Sequence, residues 1–269
     1  MKFQLALVTG ASSGIGEHLC RLLANKGINL IITARSADKL EKLAEELGEK
    51  VEVTIVPADL SDAKNRQKLI AKIHQESPDL IINNAGLGYY GSVLTRDTDE
   101  DLKVLEVNTA ALLEISAEAA RTLVTKGKKG VIMNVSSTAA FQILPGMATY
   151  AATKAFVNLF SESFDIELRQ YGIRVLAACP GVVHTNFRKH ASKGKSDNKK
   201  YLMTMSADFA ANEIWKQIQS GKTIRAFDWK YRLMTFLSRY LTPKWLITKI
   251  GERLIRDLRS PQDIKKISL

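Results

Sequence analysis

The sequence predicts an α/β fold: one doubly wound, mostly parallel sheet forming a single domain, followed by a helical C-terminal extension. Short apolar runs rich in β-branched residues recur through residues 5–180, and amphipathic stretches of helical period lie between them. The runs are continuously apolar rather than alternating, as strands covered on both faces must be. Strand–helix repetition of this kind implies right-handed crossovers and parallel pairing.

The expected strands are, in order, "LALVT" (5–9), "INLIIT" (28–33), "VEVTIV" (51–56), "DLIIN" (79–83), "GVIMNVS" (130–136) and "IRVLAACP" (173–180). Between the first two, a helix starts near Ile15. Another spans 36–48 with Leu40, Leu43, Ala44 and Leu47 on one face, and a third starts near Ser61. With 269 residues and 45% apolar content the chain can bury a full core in one domain, read as 1–226, with 227–269 as the extension. Cys20 and Cys179 sit in separate apolar runs, which suits a reducing, cytoplasmic setting. "LALV" is too short for a secretory core, and no stretch approaches the roughly 18 apolar residues of a membrane span.

Open parallel sheets bind ligands at the carboxyl ends of their strands, and the sequence concentrates unusual residues there. The first strand runs into "TGASSGIG", where Gly10, Gly14 and Gly16 alternate with Ser12, Ser13 and Ile15 just ahead of a helix. Glycine permits a tight turn and close approach to a pyrophosphate, and the helix start offers free N–H groups. The second strand ends in Arg35 and Ser36, where an acidic residue would otherwise hold a ribose 2′-hydroxyl. A guanidinium there suits a 2′-phosphate, hence NADP(H) over NAD(H); the plainer reading is a helix-start cation. Asp59, followed by Leu60, is placed to accept from an adenine amino group or to cap the next helix. In "NNAG", Asn84, Ala85 and Gly86 allow main chain to lie against a ring or ribose.

"TGASSGIG", "NNAG", the asparagine of "EVNTAA", "NVSS", "YAATK" and "CPGVVHT" occur in the order and spacing of the short-chain dehydrogenase/reductase family, which the chain resembles over residues 3–226. The resemblance implies a Rossmann-like domain that moves hydride between a nicotinamide and a carbonyl or alcohol. It also gives a meaning to "ATYAATKAF" (148–156), in which Tyr150 and Lys154 lie one helical turn apart among small side chains. Tyr150 matches the family's proton donor. The ammonium of Lys154 is expected to draw the phenol below its usual value of about 10 and to bond the nicotinamide ribose. Ser137 matches the serine that bonds the substrate oxygen, with Ser136 the neighbouring alternative. Asn108 matches the residue holding a water between Lys154 and solvent; without the family it reads as a helix irregularity. Pro180, Gly181, Val183 and Thr185 match the loop that meets the carboxamide and phosphates.

His18, His74, His184 and His190 show no metal-ligand spacing, so no metal is expected. The formal charge of +11 is local: 188–200 and 222–269 carry all of the excess, leaving the remainder slightly acidic. Residues 186–205 are expected to cover the substrate. As a docking patch, Arg188, Lys189, Lys193, Lys195, Lys199 and Lys200 would meet an acyl carrier protein or coenzyme A phosphates. In the extension, Leu246, Ile250, Leu254 and Leu258 form a stripe flanked by Lys249, Arg253, Arg256 and Arg259, with Trp229, Tyr231, Phe236 and Tyr240 upstream. That pattern suits a helix lying peripherally on an anionic membrane, or one packed on the domain or a second subunit. No nucleic-acid module is visible. The expectation is reduction of a hydrophobic, lipid-like ketone or aldehyde, the alternatives being a 3-oxoacyl thioester reductase and a cofactor-sensing binding protein. Family members often form homo-oligomers through helices near 98–125 and 149–171.

Overall fold

Seven parallel strands form one sheet in the order β3-β2-β1-β4-β5-β6-β7: β1 Leu5–Thr9, β2 Asn29–Thr33, β3 Val53–Ile55, β4 Leu80–Asn83, β5 Gly130–Val135, β6 Ile173–Cys179 and β7 Ile224–Ala226. The structure, a computed structural model, describes residues 2–192 and 204–237 together with Trp245 and Lys249. The strand order reverses direction between β1 and β4, which opens a crevice at their carboxyl ends.

Register explains why the strands are apolar throughout. Leu7 lies opposite Ile31 and Ile81, and Ile132 lies opposite Ile81 and Val175, so one row crosses five strands on one face. That row packs on Leu69 and Ile73 of α3 (Ala63–Glu76), Ile115 and Leu123 of α5 (Leu112–Thr125), and Leu168 of α6 (Ala148–Leu168). Ala6, Val8, Leu30 and Ile32 point to the other face. There they meet Leu19 and Leu23 of α1 (Gly14–Ala24), Leu40 and Leu43 of α2 (Ala37–Gly48), and Ile214 of α8 (Ala207–Ser220). Each such fully buried aliphatic side chain contributes about 1.5–3 kcal/mol, and both faces are covered as the continuous runs required.

Several boundaries differ from expectation. The third strand shrinks to three half-buried residues at the sheet edge, and β7, equally short, gives no apolar run long enough to read. The helix expected near Ser61 begins at Ala63, because Asp62 and not Asp59 accepts from the Lys64 amide at 2.8 Å. Between α4 (Thr98–Leu105) and α5 the chain widens into a π-helical stretch, Glu106–Ala111. The helix irregularity inferred at Asn108 is real.

After β7 the chain continues into α9 (Trp229–Phe236). Phe227 is completely buried and Tyr231 nearly so, both within the same apolar cluster as α1 and α8. The start of the extension is thus part of the domain. Trp229, Leu233 and Phe236 face outward on α9 beside exposed Lys230 and Arg232. Lys193, Lys195, Lys199 and Lys200, Tyr240, and the stripe Leu246, Ile250, Leu254 and Leu258 with Arg253, Arg256 and Arg259 lie outside the described residues. Among the described residues no helix is long and apolar enough to cross a membrane.

Candidate active site

Glycines bring three strand ends together, those of β1, β4 and β6. Gly10 has φ +66°, and a Cβ there would sit 2.9 Å from the Ala85 backbone, so the loop after β1 lies directly on the chain after β4. A Cβ on Gly16 would reach the Gly10 carbonyl at 2.3 Å, which only glycine avoids. Gly14, with φ +59°, packs against the Thr185 side chain, tying the first loop to the one after β6. Ser13 occupies the N-cap of α1 but makes no capping bond, leaving its hydroxyl and the first amides of the helix for a ligand. Ser12 and Ile15 beside it are half-buried. This is a cradle that a phosphate fits and a side chain does not.

The remaining binding positions divide into those that face the crevice and those held elsewhere. Arg35 is exposed at the end of β2, next to half-buried Ser36, and makes no hydrogen bond or ion pair among the described residues. Asp59 Oδ1 accepts from the Ser61 amide at 2.9 Å and its hydroxyl at 2.8 Å, while Oδ2 has no partner among the described residues. The Leu60 carbonyl is fixed at 2.9 Å by Arg66, which also bridges Glu106 and Glu114. Asn84 donates Nδ2 to the Thr9 carbonyl at 2.9 Å and its amide to Thr9 Oγ1 at 3.0 Å, which leaves its acceptors, the main-chain carbonyl and Oδ1, without a donor among the described residues. Pro180 is buried and its carbonyl accepts from the Thr138 amide. Thr185 accepts from the Phe187 amide and caps α7 (Asn186–Ala191).

The polar centre is built on α6. Lys154 is only 4% exposed. Its Nζ donates to the Val135 carbonyl at 2.9 Å and lies 5.7 Å from the centre of the Tyr150 ring. A Cβ on Gly86 would sit 3.5 Å from both Lys154 Nζ and Asn108 Oδ1, so main chain there runs directly over the ammonium. Asn108 accepts from the Leu87 amide at 2.8 Å and donates to the Leu87 carbonyl and to Thr153, which fixes its amide orientation. Ser137 sits beside the Tyr150 phenol and caps the short helical turn Thr138–Phe141, accepting from the Ala139 amide at 3.1 Å. Ser136 turns the other way and donates to the Lys154 carbonyl at 3.1 Å.

The electrostatics differ from expectation in one respect. Burial pushes the Tyr150 phenol up to about 12, against which the neighbouring Ser137 hydroxyl acts in the opposite sense. Burial likewise lowers Lys154 from its ordinary 10.5 to about 8. In the free protein desolvation outweighs any pull of the ammonium on the phenol. At neutral pH Tyr150 is a protonated acid and Lys154 is mostly a cation.

Two contacts had no signal in the sequence motifs. Phe187 of α7 packs on Tyr150 with ring centres 5.5 Å apart, and Gly88 is pressed between the two rings. The Ala191 carbonyl accepts from the Tyr90 amide, so α7 lies across the site's outer edge. His184 and His190 are exposed, and no cluster of metal-binding side chains exists among the described residues.

These loops and side chains converge where a Rossmann-like sheet takes a dinucleotide. The family model described as short chain dehydrogenase matches residues 4–196. An uncharacterized oxidoreductase of Staphylococcus aureus strain N315 is 32% identical over 225 residues, 78% of this chain and 95% of that protein. A very-long-chain 3-oxoacyl-CoA reductase-like protein of Arabidopsis thaliana is 30% identical over 239 residues, 86% of this chain and 75% of that one. Among solved structures, a short-chain dehydrogenase from Sphingobium yanoikuyae in complex with NADPH superposes with a TM-score of 0.79 at 26% identity, covering 96% of this chain and 97% of that one. The chain belongs to the short-chain dehydrogenase/reductase family and is an oxidoreductase of alcohols and ketones that uses a nicotinamide cofactor.

Proposed function

We propose that the protein is an NADPH-dependent reductase of a hydrophobic ketone or aldehyde, with Tyr150 as the proton donor. The observation that carries this is the set Ser137–Tyr150–Lys154–Asn108, assembled under Gly86 at the carboxyl ends of β4 and β5. Gly10, Ser12, Ser13, Gly14, Ile15 and Gly16 would hold the pyrophosphate, and Asp59 with Leu60 the adenine. Asn84, Ala85 and Gly86 would lie along the nicotinamide ribose, and Pro180, Gly181, Val183 and Thr185 would hold the carboxamide side. Arg35, without a partner among the described residues, favours a cofactor carrying a 2′-phosphate. The bound cofactor supplies hydride to the carbonyl carbon.

The rest is done by this chain. The Ser137 hydroxyl orients the substrate oxygen, and the Tyr150 hydroxyl gives that oxygen its proton. Lys154 stabilises the phenolate left behind. Asn108, locked by Leu87 and Thr153, holds the route by which a proton returns. A phenol held near 12 is fully protonated at pH 7, the state from which reduction starts.

Phe187 and the exposed aromatics of α9 support an apolar substrate, and the Arabidopsis relative's name favours a 3-oxoacyl thioester as the second reading. The test is NADPH oxidation across ketones, sterols and 3-oxoacyl thioesters, with Tyr150→Phe beside the wild type. Turnover should fall about 10²–10⁴-fold while NADPH binding is kept. Unchanged turnover removes Tyr150 from the mechanism.

A further inference from the structure

The loop after β6 is gripped from both sides by segments that lie beyond the family-matched residues. On one side Met205, just ahead of α8, pairs with Val183 as a parallel bridge. The Met205 amide donates to the Val182 carbonyl at 2.8 Å, and the His184 amide donates to the Met205 carbonyl at 2.9 Å. In a parallel bridge of this pattern the central residue's own N–H and C=O point away from the partner, so those of Val183 face away from Met205. On the other side the Tyr231 hydroxyl of α9 accepts from the Val182 amide at 3.0 Å. Its ring lies on Gly181 so closely that a Cβ there would fall 2.2 Å from ring carbons. Tyr231 is itself 4% exposed, anchored in the core beside Phe227.

Both main-chain polar groups of Val182 are therefore consumed, one by each clamp, and the residue is held while its neighbour Val183 keeps its own pair unbonded among the described residues. We propose that Tyr231 is a positioning residue that fixes the 181–183 main chain against the nicotinamide carboxamide, and that the C-terminal segment is in this way a working part of the cofactor site. This rests on the placement of Pro180–Thr185 at the carboxamide proposed above. Because Gly181 has no side chain, the aromatic ring meets the loop directly, and the hydroxyl at its tip reaches the next amide. A phenylalanine would keep the ring contact and remove the hydroxyl that accepts from Val182.

The experiment compares two ligands on Tyr231→Phe and wild type: NADPH, and 2′-phospho-ADP-ribose, which lacks the nicotinamide. The variant should bind NADPH about tenfold more weakly, the factor one hydrogen bond carries, and 2′-phospho-ADP-ribose as the wild type does. A residue that only stabilises the fold would move both ligands together or neither. Equal weakening, or no weakening, in a wild type that prefers NADPH overturns the clamp alone. A wild type that binds both ligands equally overturns the carboxamide placement and the clamp with it. If Tyr231→Phe gives no cooperative melt, hydrogen exchange in the wild type decides. The Val182 amide should be protected with and without NADPH, and rapid exchange there in either state overturns the proposal.

Discussion

Replacing Lys154 with methionine should stabilise the free protein at neutral pH while abolishing turnover. The ammonium is buried, with the Val135 carbonyl as its fixed acceptor and the Tyr150 ring beside it. Its pKa falls from 10.5 in the unfolded chain to about 8 in the fold. At pH 7 the folded state carries a proton on a desolvated amine, which costs about 3 kcal/mol, at roughly 1.4 kcal/mol for every tenfold loss of proton affinity. Methionine matches the shape without the charge and leaves the Val135 carbonyl without its donor, a loss of about 1 kcal/mol. The net expected gain at pH 7 is about 2 kcal/mol.

The sign of the pH dependence separates this from repacking. A lysine whose folded pKa is depressed destabilises the fold most below about 8, and the penalty fades as pH rises to 10.5. Tyr150 acts only above pH 10, since its stabilising contribution is lost between 10 and about 12. Cys20, whose buried thiol is pushed up, lowers stability above about pH 9 in wild type and variant alike, while Cys179, also pushed up by burial, feels the charge of Lys154 and changes with it. Urea unfolding of both proteins at pH 7 and 9.5 therefore isolates Lys154, with its coupling to Cys179, in the difference. The wild type should close about 2 kcal/mol of the gap between those two pH values. A gap that does not change with pH, or a variant less stable than wild type at pH 7, refutes the reasoning.

Two further outcomes follow from the geometry. Arg35→Asp places a carboxylate where a 2′-phosphate would sit and a ribose hydroxyl would bond, so the ratio of kcat/KM for NADPH over NADH should fall by at least about tenfold. An unaltered ratio rejects the phosphate role of Arg35. On α6, Leu159 and Ile166 lie seven residues apart and are 68% and 70% exposed, with stacked Phe156 and Phe160 beside them. If that face is an interface between copies, sedimentation should give a dimer or tetramer for the wild type and a smaller species for Leu159→Glu/Ile166→Glu. Equal masses would reject it.

The sheet and much of the site were legible because their signals are local. A buried parallel strand shows as an unbroken apolar run, and β1, β2, β4, β5 and β6 each carry one: Leu5–Val8, Leu30–Ile32, Leu80–Ile82, Val131–Met133 and Val175–Cys179. Gly10, Gly14 and Gly16 answer to one tight loop, and Tyr150 and Lys154 to one helical turn. Where the structural reason is long-range, the sequence was mute. Nothing in "ADLSD" says that Asp62 rather than Asp59 caps α3, because both carboxylates lie within reach of a helix start. The rise of Tyr150 to about 12 was hidden for the same reason: desolvation comes from Phe187, Gly88 and the strands beneath, not from residues four positions away.

The division drawn at residue 226 shows how far such local reading reaches. Basic and aromatic residues after that point read in sequence as an interfacial pattern, and Trp229, Leu233 and Phe236 are exposed on α9. Tyr231 sits in the same pattern but faces inward, and its partner Val182 is 49 residues earlier in the chain. Composition cannot separate an aromatic that meets a surface from one that completes a loop; only the i, i+4, i+7 phase of α9 against the domain does so. Trp229, Leu233 and Phe236 share one side of the helix, and Tyr231 with Thr235 shares the other. A truncation at 226 would therefore remove more than a tail. It would uncover Gly181, release the Val182 amide and take buried Phe227 out of the core, so loss of activity in such a truncation has a cause inside the domain, apart from any membrane or partner contact.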